Sequence, residues 1–144
     1  MNFDLIQSYL SEHTLIVPFA ALIFAVIIKG IVHAFNGKFS ISNMLGSGGM
    51  PSAHSTFVVA LATAMGIKHD VWSDEFTICL VFSIIIIYDA MNVRFQAGLH
   101  ARALNDLTPN DGKSLNESIG HTPIEAFVGG VVGFATAVIL LGLR

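Results

Sequence analysis

The chain has 144 residues, 53% of them hydrophobic and 12% charged, with seven Lys and Arg against ten Asp and Glu for a formal charge of −3. Its mean hydropathy is +0.71. A soluble domain carries about a quarter of its residues charged, so the composition excludes a disordered chain and an ordinary water-soluble enzyme, and the lack of a basic surface excludes a nucleic-acid partner. What is left is a multi-pass integral membrane protein of one domain, residues 1–144.

In chain order, Leu15 to Phe35 comes first, about 21 residues at 1.5 Å each and so enough for a hydrocarbon core of roughly 30 Å. Its leader holds Asp4 and Glu12 and neither Lys nor Arg, which is not the pattern of a signal peptide. Pro51 to Ile67 is shorter and rich in small residues, Phe76 to Met91 carries FTICLVFSIIIIYDAM with the lone Cys79, and Ile124 to Leu143 is a full-length span. Lipid forces each backbone to satisfy itself, so these runs are expected as helices despite their β-branched content. Between the last two spans, TPNDG at 108–112 is a turn signal, and Ser114 to Glu117 reads as a capping box opening a short interfacial helix that Gly120 closes. The expected fold is all-α: a small membrane bundle of about four transmembrane helices plus that interfacial helix.

Four spans put both termini on one side. The other, near side holds Lys29 late in the first span, Lys38, Arg94, Arg102 and Lys113, with four of the six histidines. The positive-inside tendency makes the near side cytoplasmic.

The near side also holds the residues with chemical potential. GSGGMPSAHS at 46–55 opens the second span: its glycines permit close backbone approach, Pro51 suits a first turn and Ser52 a cap. Unpaired N–H groups and the helix dipole there attract an anion, with His54 placed for proton transfer; an interfacial histidine on a flexible loop is the plainer alternative. In YDAMNVRFQAGLHARALND at 88–106, Asp89, Asn92, Gln96 and His100 share a helical stripe at offsets of three, seven and eleven. Such a stripe near a membrane boundary faces the bundle interior or a wet cavity, or else anchors the interface. Arg94 would point about 120° from His100, so joint action requires a break, most naturally at Gly98. Lys29 either reaches to the headgroups or turns inward to hold an anion, with Lys38 a competitor for that task. His121 and Glu125, four apart, pair across one turn or act in catalysis or gating, and Gly129 with Gly133 suits close packing within the chain or across a dimer. No metal-ligand spacing such as H-E-x-x-H occurs, and the nearby cations suit an anion better.

PSAH at 51–54 with Arg94-x5-His100 resembles the signature of the type-2 phosphatidic acid phosphatase and vanadium haloperoxidase superfamily. GGMPSAHS, YDAMNVRFQAGLHA and GHTPIE are more similar still to its short divergent branch of membrane proteins, over Lys29 to about Gly133. The resemblance implies a phosphatase that needs neither metal nor other cofactor, hydrolysing a lipid phosphate or pyrophosphate of the phosphatidic acid, phosphatidylglycerol phosphate or polyprenyl pyrophosphate type. It implies His100 as the nucleophile that becomes phosphorylated, Arg94 binding phosphate oxygens and His54 protonating the leaving group. Ser52 and amides near Gly49 would hold the remaining oxygens, with Lys29 or Lys38 as a further cation. The sequence departs from the pattern at Ala53 for glycine, at Val93 for serine, in lacking the Arg-Pro that follows the upstream lysine, and at Leu104. Leu104 stands where an aspartate four residues after the nucleophile would orient it, which leaves Asp89 as the substitute. That last loss motivates an alternative, a non-catalytic lipid-headgroup binder or transporter. Expected partners are the lipid substrate, the surrounding membrane lipids and a second copy of the chain in a homodimer.

Overall fold

A computed structural model describes residues 9–10, 12–35, 37, 48–107 and 114–142. Lys38, the TPNDG turn and most of the loop between the first two spans lie outside the described residues. Within them the chain forms α1 (Ile16–Phe35), α2 (Ala53–His69), α3 (Asp74–Met91), α4 (Val93–Leu107) and α5 (Pro123–Leu141). No strand occurs among the described residues. Among the described residues three helices are long and apolar enough to cross a membrane, Ile16–Phe35, Asp74–Leu107 (α3 with α4) and Pro123–Leu141.

The 17-residue α2 packs among α5, α3 and α1, and its most extensive contact is with α5. Small side chains make this possible: the core residues Ala21, Ala60, Ala64 and Ala137 are fully buried. Without a hydrophobic drive between helices in lipid, association rests on close backbone packing and hydrogen bonds. At Gly129 an added Cβ would strike the Ser52 carbonyl oxygen, and at Gly133 the Thr56 carbonyl oxygen. The Thr56 hydroxyl donates to the Gly129 carbonyl at 2.9 Å, and the Ser52 N–H donates to the Glu125 carbonyl at 3.1 Å. The Gly129/Gly133 face is thus used within the chain, against α2. The large apolar side chains of α1, α3 and α5, among them Phe24, Ile27, Ile85, Phe127 and Ile139, point outward.

Two expectations about the near side need correction. No helix forms over 114–120. The Asn105 side chain of α4 clamps that stretch, its Nδ2 donating to the Leu115 carbonyl at 3.0 Å and to Glu117 Oε1 at 2.8 Å while its Oδ1 accepts from the Leu115 N–H at 2.9 Å. A Glu117 carboxylate held by Asn105 is drawn away from the Ser114 backbone, and the box that would start a helix does not close. The capping box forms instead at Thr122 and Glu125, the start of α5: Thr122 N–H donates to Glu125 Oε2 at 2.8 Å, and Glu125 N–H to Thr122 Oγ1 at 3.4 Å.

The break between α3 and α4 is at Asn92, with φ −113° and ψ −75°, and α4 runs unbroken through Gly98. Gly98 serves close approach: a Cβ there would lie 2.6 Å from the Glu117 carbonyl oxygen, so the 117–119 segment rests directly on α4.

Candidate functional site: a polar cluster at the near end

At the near end of the bundle, helix termini bring together groups from every long element. Lys29, late in α1, is 2% exposed and therefore turns inward. A lysine so placed costs about 2.5–3.5 kcal/mol at a bilayer centre and less towards the edge, so inward lysines mark function or a partner. The loop before α2 comes up against it: Gly48 and Gly49 have φ of +95° and +84°, and a Cβ on Gly49 would lie 3.1 Å from Lys29 Cε and 3.4 Å from His33 Nε2. His33, one turn beyond Lys29 on α1, joins the cluster and was not singled out from sequence, although its i, i+4 spacing from Lys29 carried the signal. The Met50–Pro51 peptide is cis and leads into Ser52, which is fully buried. The Ser52 hydroxyl accepts from the Ser55 N–H at 3.3 Å and the Ser55 hydroxyl at 3.1 Å, the work of an N-cap. His54 follows in the first turn of α2 with an exposed ring.

From α3 and α4 come a carboxylate and a guanidinium. Arg94 Nε donates to Asp89 Oδ2 at 2.6 Å, across the Asn92 break, with both side chains about two-fifths to one-third exposed. That single bond orients Arg94 and leaves its terminal nitrogens for another acceptor.

His121 sits in the turn ahead of α5. Its N–H donates to the Ala90 carbonyl at 3.0 Å, fastening the turn to the end of α3, and the residue is 3% exposed. Its Nδ1 is buried and has no hydrogen-bond partner among the described residues. The rings of His121 and His54 meet edge-on, 6.2 Å between centroids. Burial pushes the His121 imidazole below its usual range; Glu125 opposes this, and His54, Lys29 and Arg94 add to it. The same charges reach His54, which feels Arg94, Asp89 and Lys29, and Glu125 acts on Lys29. The cluster is therefore Lys29, His54, Asp89, Arg94, His121 and Glu125, with His33 at its edge beside Lys29 and Gly49.

The remaining candidates from sequence lie apart. Asn92, Gln96 and His100 are exposed, and the stripe expected from Asp89 onward is redirected by the break at Asn92. His100 is on the same unbroken helix as Arg94, six residues on, hence about 9 Å along the axis and about 120° around it.

An all-helical membrane protein with an inward lysine, an oriented arginine and facing histidines at one end has the makings of an anion site. The chain matches the model of the Divergent PAP2 family over residues 10–136, and it belongs to that family. It is similar to the uncharacterized membrane protein YuiD of Bacillus subtilis (strain 168), 33% identical over 150 residues that cover 91% of this chain and 95% of that protein. No solved structure matches the chain.

Proposed function

We propose that the protein is a membrane phosphatase that hydrolyses a lipid phosphate or pyrophosphate at the near-side interface, with His121 as nucleophile in place of His100. The observation that carries the reading is a buried imidazole with an unpartnered nitrogen, facing a second imidazole and within electrostatic reach of Lys29 and Arg94. Glu125, four residues after His121, meets the spacing at which the resemblance calls for an orienting carboxylate, the position Leu104 leaves empty after His100.

In this reading the neutral His121 imidazole attacks phosphorus, a P–N bond forms, and the P–O bond to the leaving group breaks, a lipid alcohol from a monophosphate or a lipid phosphate from a pyrophosphate. His54 gives its proton to the departing oxygen, then accepts one from the water that hydrolyses the phosphoimidazole and releases inorganic phosphate. Arg94, steadied by Asp89, and Lys29 bear on the phosphoryl oxygens, where cations already in place stabilise developing charge without reorganisation. Ser52 supports the loop through its cap, and the backbone around Gly49 lies close enough to Lys29 to share an anion with it. Purified protein given a panel of phosphatidic acid, phosphatidylglycerol phosphate and polyprenyl pyrophosphate releases phosphate, and His121→Ala abolishes release and the acid-labile phosphoprotein. Release that survives in that variant removes the assignment.

One observation favours a second reading, a headgroup binder without turnover: Glu125 spends a carboxylate oxygen on the Thr122 cap. Tight lipid phosphate binding with no phosphate released by the unaltered protein selects it.

A further inference from the structure

Helices α3 and α5 scarcely touch, and the gap between them is a largely apolar trough whose deeper part is floored by α2 and ends at Lys68, His69 and Asp70. Its near compartment, about 510 Å³, runs from Met91 and Pro123 past Gly130 to Ile87 and Phe134. The deeper compartment, about 830 Å³, begins at the same Ile87 and Phe134 and continues past Thr63 and Val138 towards the far end of α2. The mouth adjoins the polar cluster: Met91 lies two residues after Asp89, and Pro123 two residues after His121. A molecule with its phosphate among Arg94, Lys29 and the two imidazoles therefore has an apolar path leading directly from its head.

Depth decides what fits. From Pro123 to Val138, α5 advances about 22 Å, whereas one leaflet of a roughly 30 Å hydrocarbon core is about 15 Å deep. The acyl chains of a diacyl lipid end near the midplane and would leave the deeper compartment unfilled. A single unbranched or isoprenoid chain longer than a leaflet fills both. Resting on the phosphatase reading of the polar cluster, we infer that the α3–α5 trough holds the one long hydrocarbon tail of a polyprenyl-type phosphate, passing between Ile87 and Phe134 into the deeper compartment.

The test uses the full chain in detergent and reads binding by native mass spectrometry separately from phosphate release. The probes are farnesyl phosphate, a long polyprenyl phosphate and phosphatidic acid. The unaltered protein binds the long polyprenyl phosphate at least about tenfold more tightly than either of the others. Thr63→Trp, which fills the deeper compartment from α2, removes that advantage and leaves farnesyl phosphate binding unchanged; Val138→Phe does the same from α5. If both variants fail to fold, the comparison of chain lengths on the unaltered protein still decides. Equal binding of short and long chains, or preference for phosphatidic acid, overturns the inference. Chain-length preference without phosphate release leaves the trough assigned and counts against the phosphatase reading alone.

Discussion

Two near-side histidines lie close to Arg94 in different senses. His100 is near in sequence, on the same helix, six residues along. His121 is 27 residues away and is brought to the cluster by one backbone bond, its N–H to the Ala90 carbonyl. One ring is exposed on the outer part of α4; the other is buried beside His54 and the charges of Lys29, Glu125 and Arg94. Spacing along a helix fixes angle as well as distance, and six residues set the Arg94 and His100 side chains about 120° apart around α4. A nucleophile must share a pocket with its electrophile's ligands, which burial and charge report and linear spacing does not.

The largest effect breaks that comparison outright. His121→Ala lowers lipid phosphate release by at least about 10³-fold, as loss of a nucleophile does, while His100→Ala keeps the rate within about twofold; the reverse result in a phosphate-release assay would return the role to His100. Next, Gly133→Leu drives a side chain into the Thr56 backbone on α2. Such overpacking costs about 1–3 kcal/mol or more, against about 1 kcal/mol at most regained from helix propensity, and a thermal melt in detergent shows a lower midpoint.

Smaller effects sharpen the comparison. Asp89→Asn frees Arg94 and lowers kcat about tenfold with KM little changed, because the guanidinium that Asp89 positions acts on charge developing in the transition state, and Asp89→Glu restores part of the loss. Its effect on stability stays under about 1 kcal/mol, since the pair is partly exposed. Asn105→Ala releases the 115–117 clamp at about 1 kcal/mol, seen as faster hydrogen exchange at Leu115 with turnover retained. Acid has a defined sign as well. Because burial lowers His121, the unfolded chain takes up that proton first, near pH 6.5. Its contribution to folding is thus complete above about pH 6.5 and declines as pH falls below it, and nucleophilic activity falls as pH passes down through the lowered value.

Much of the bundle was legible because lipid leaves few choices: the apolar runs, the small residues of α2 and the Gly129/Gly133 pair each became the expected element. Thr122-Pro-Ile-Glu125 carried the signature of a cap as openly as Ser114-Leu-Asn-Glu117 did. Local pattern could not choose between the two, because the choice rests with Asn105, which engages Glu117 from another helix. Joint action of Arg94 and His100 would need a break between them, for which Gly98 is the natural place. Gly98 in fact admits the Glu117 carbonyl, and the turn occurs at Asn92, whose side chain donates to the Tyr88 carbonyl at 3.2 Å. The polar residues of the near end were visible, but which of them meet depended on contacts between segments that no periodicity encodes.

The main-chain bond from Ser52 to Glu125, with Thr56 reaching Gly129 one turn deeper, ties the starts of α2 and α5 into a single rigid jaw carrying both imidazoles. When the bilayer thins or thickens, helices accommodate the mismatch by tilting. Here a tilt carries His54 and His121 together, because the two helix starts that present them are joined backbone to backbone.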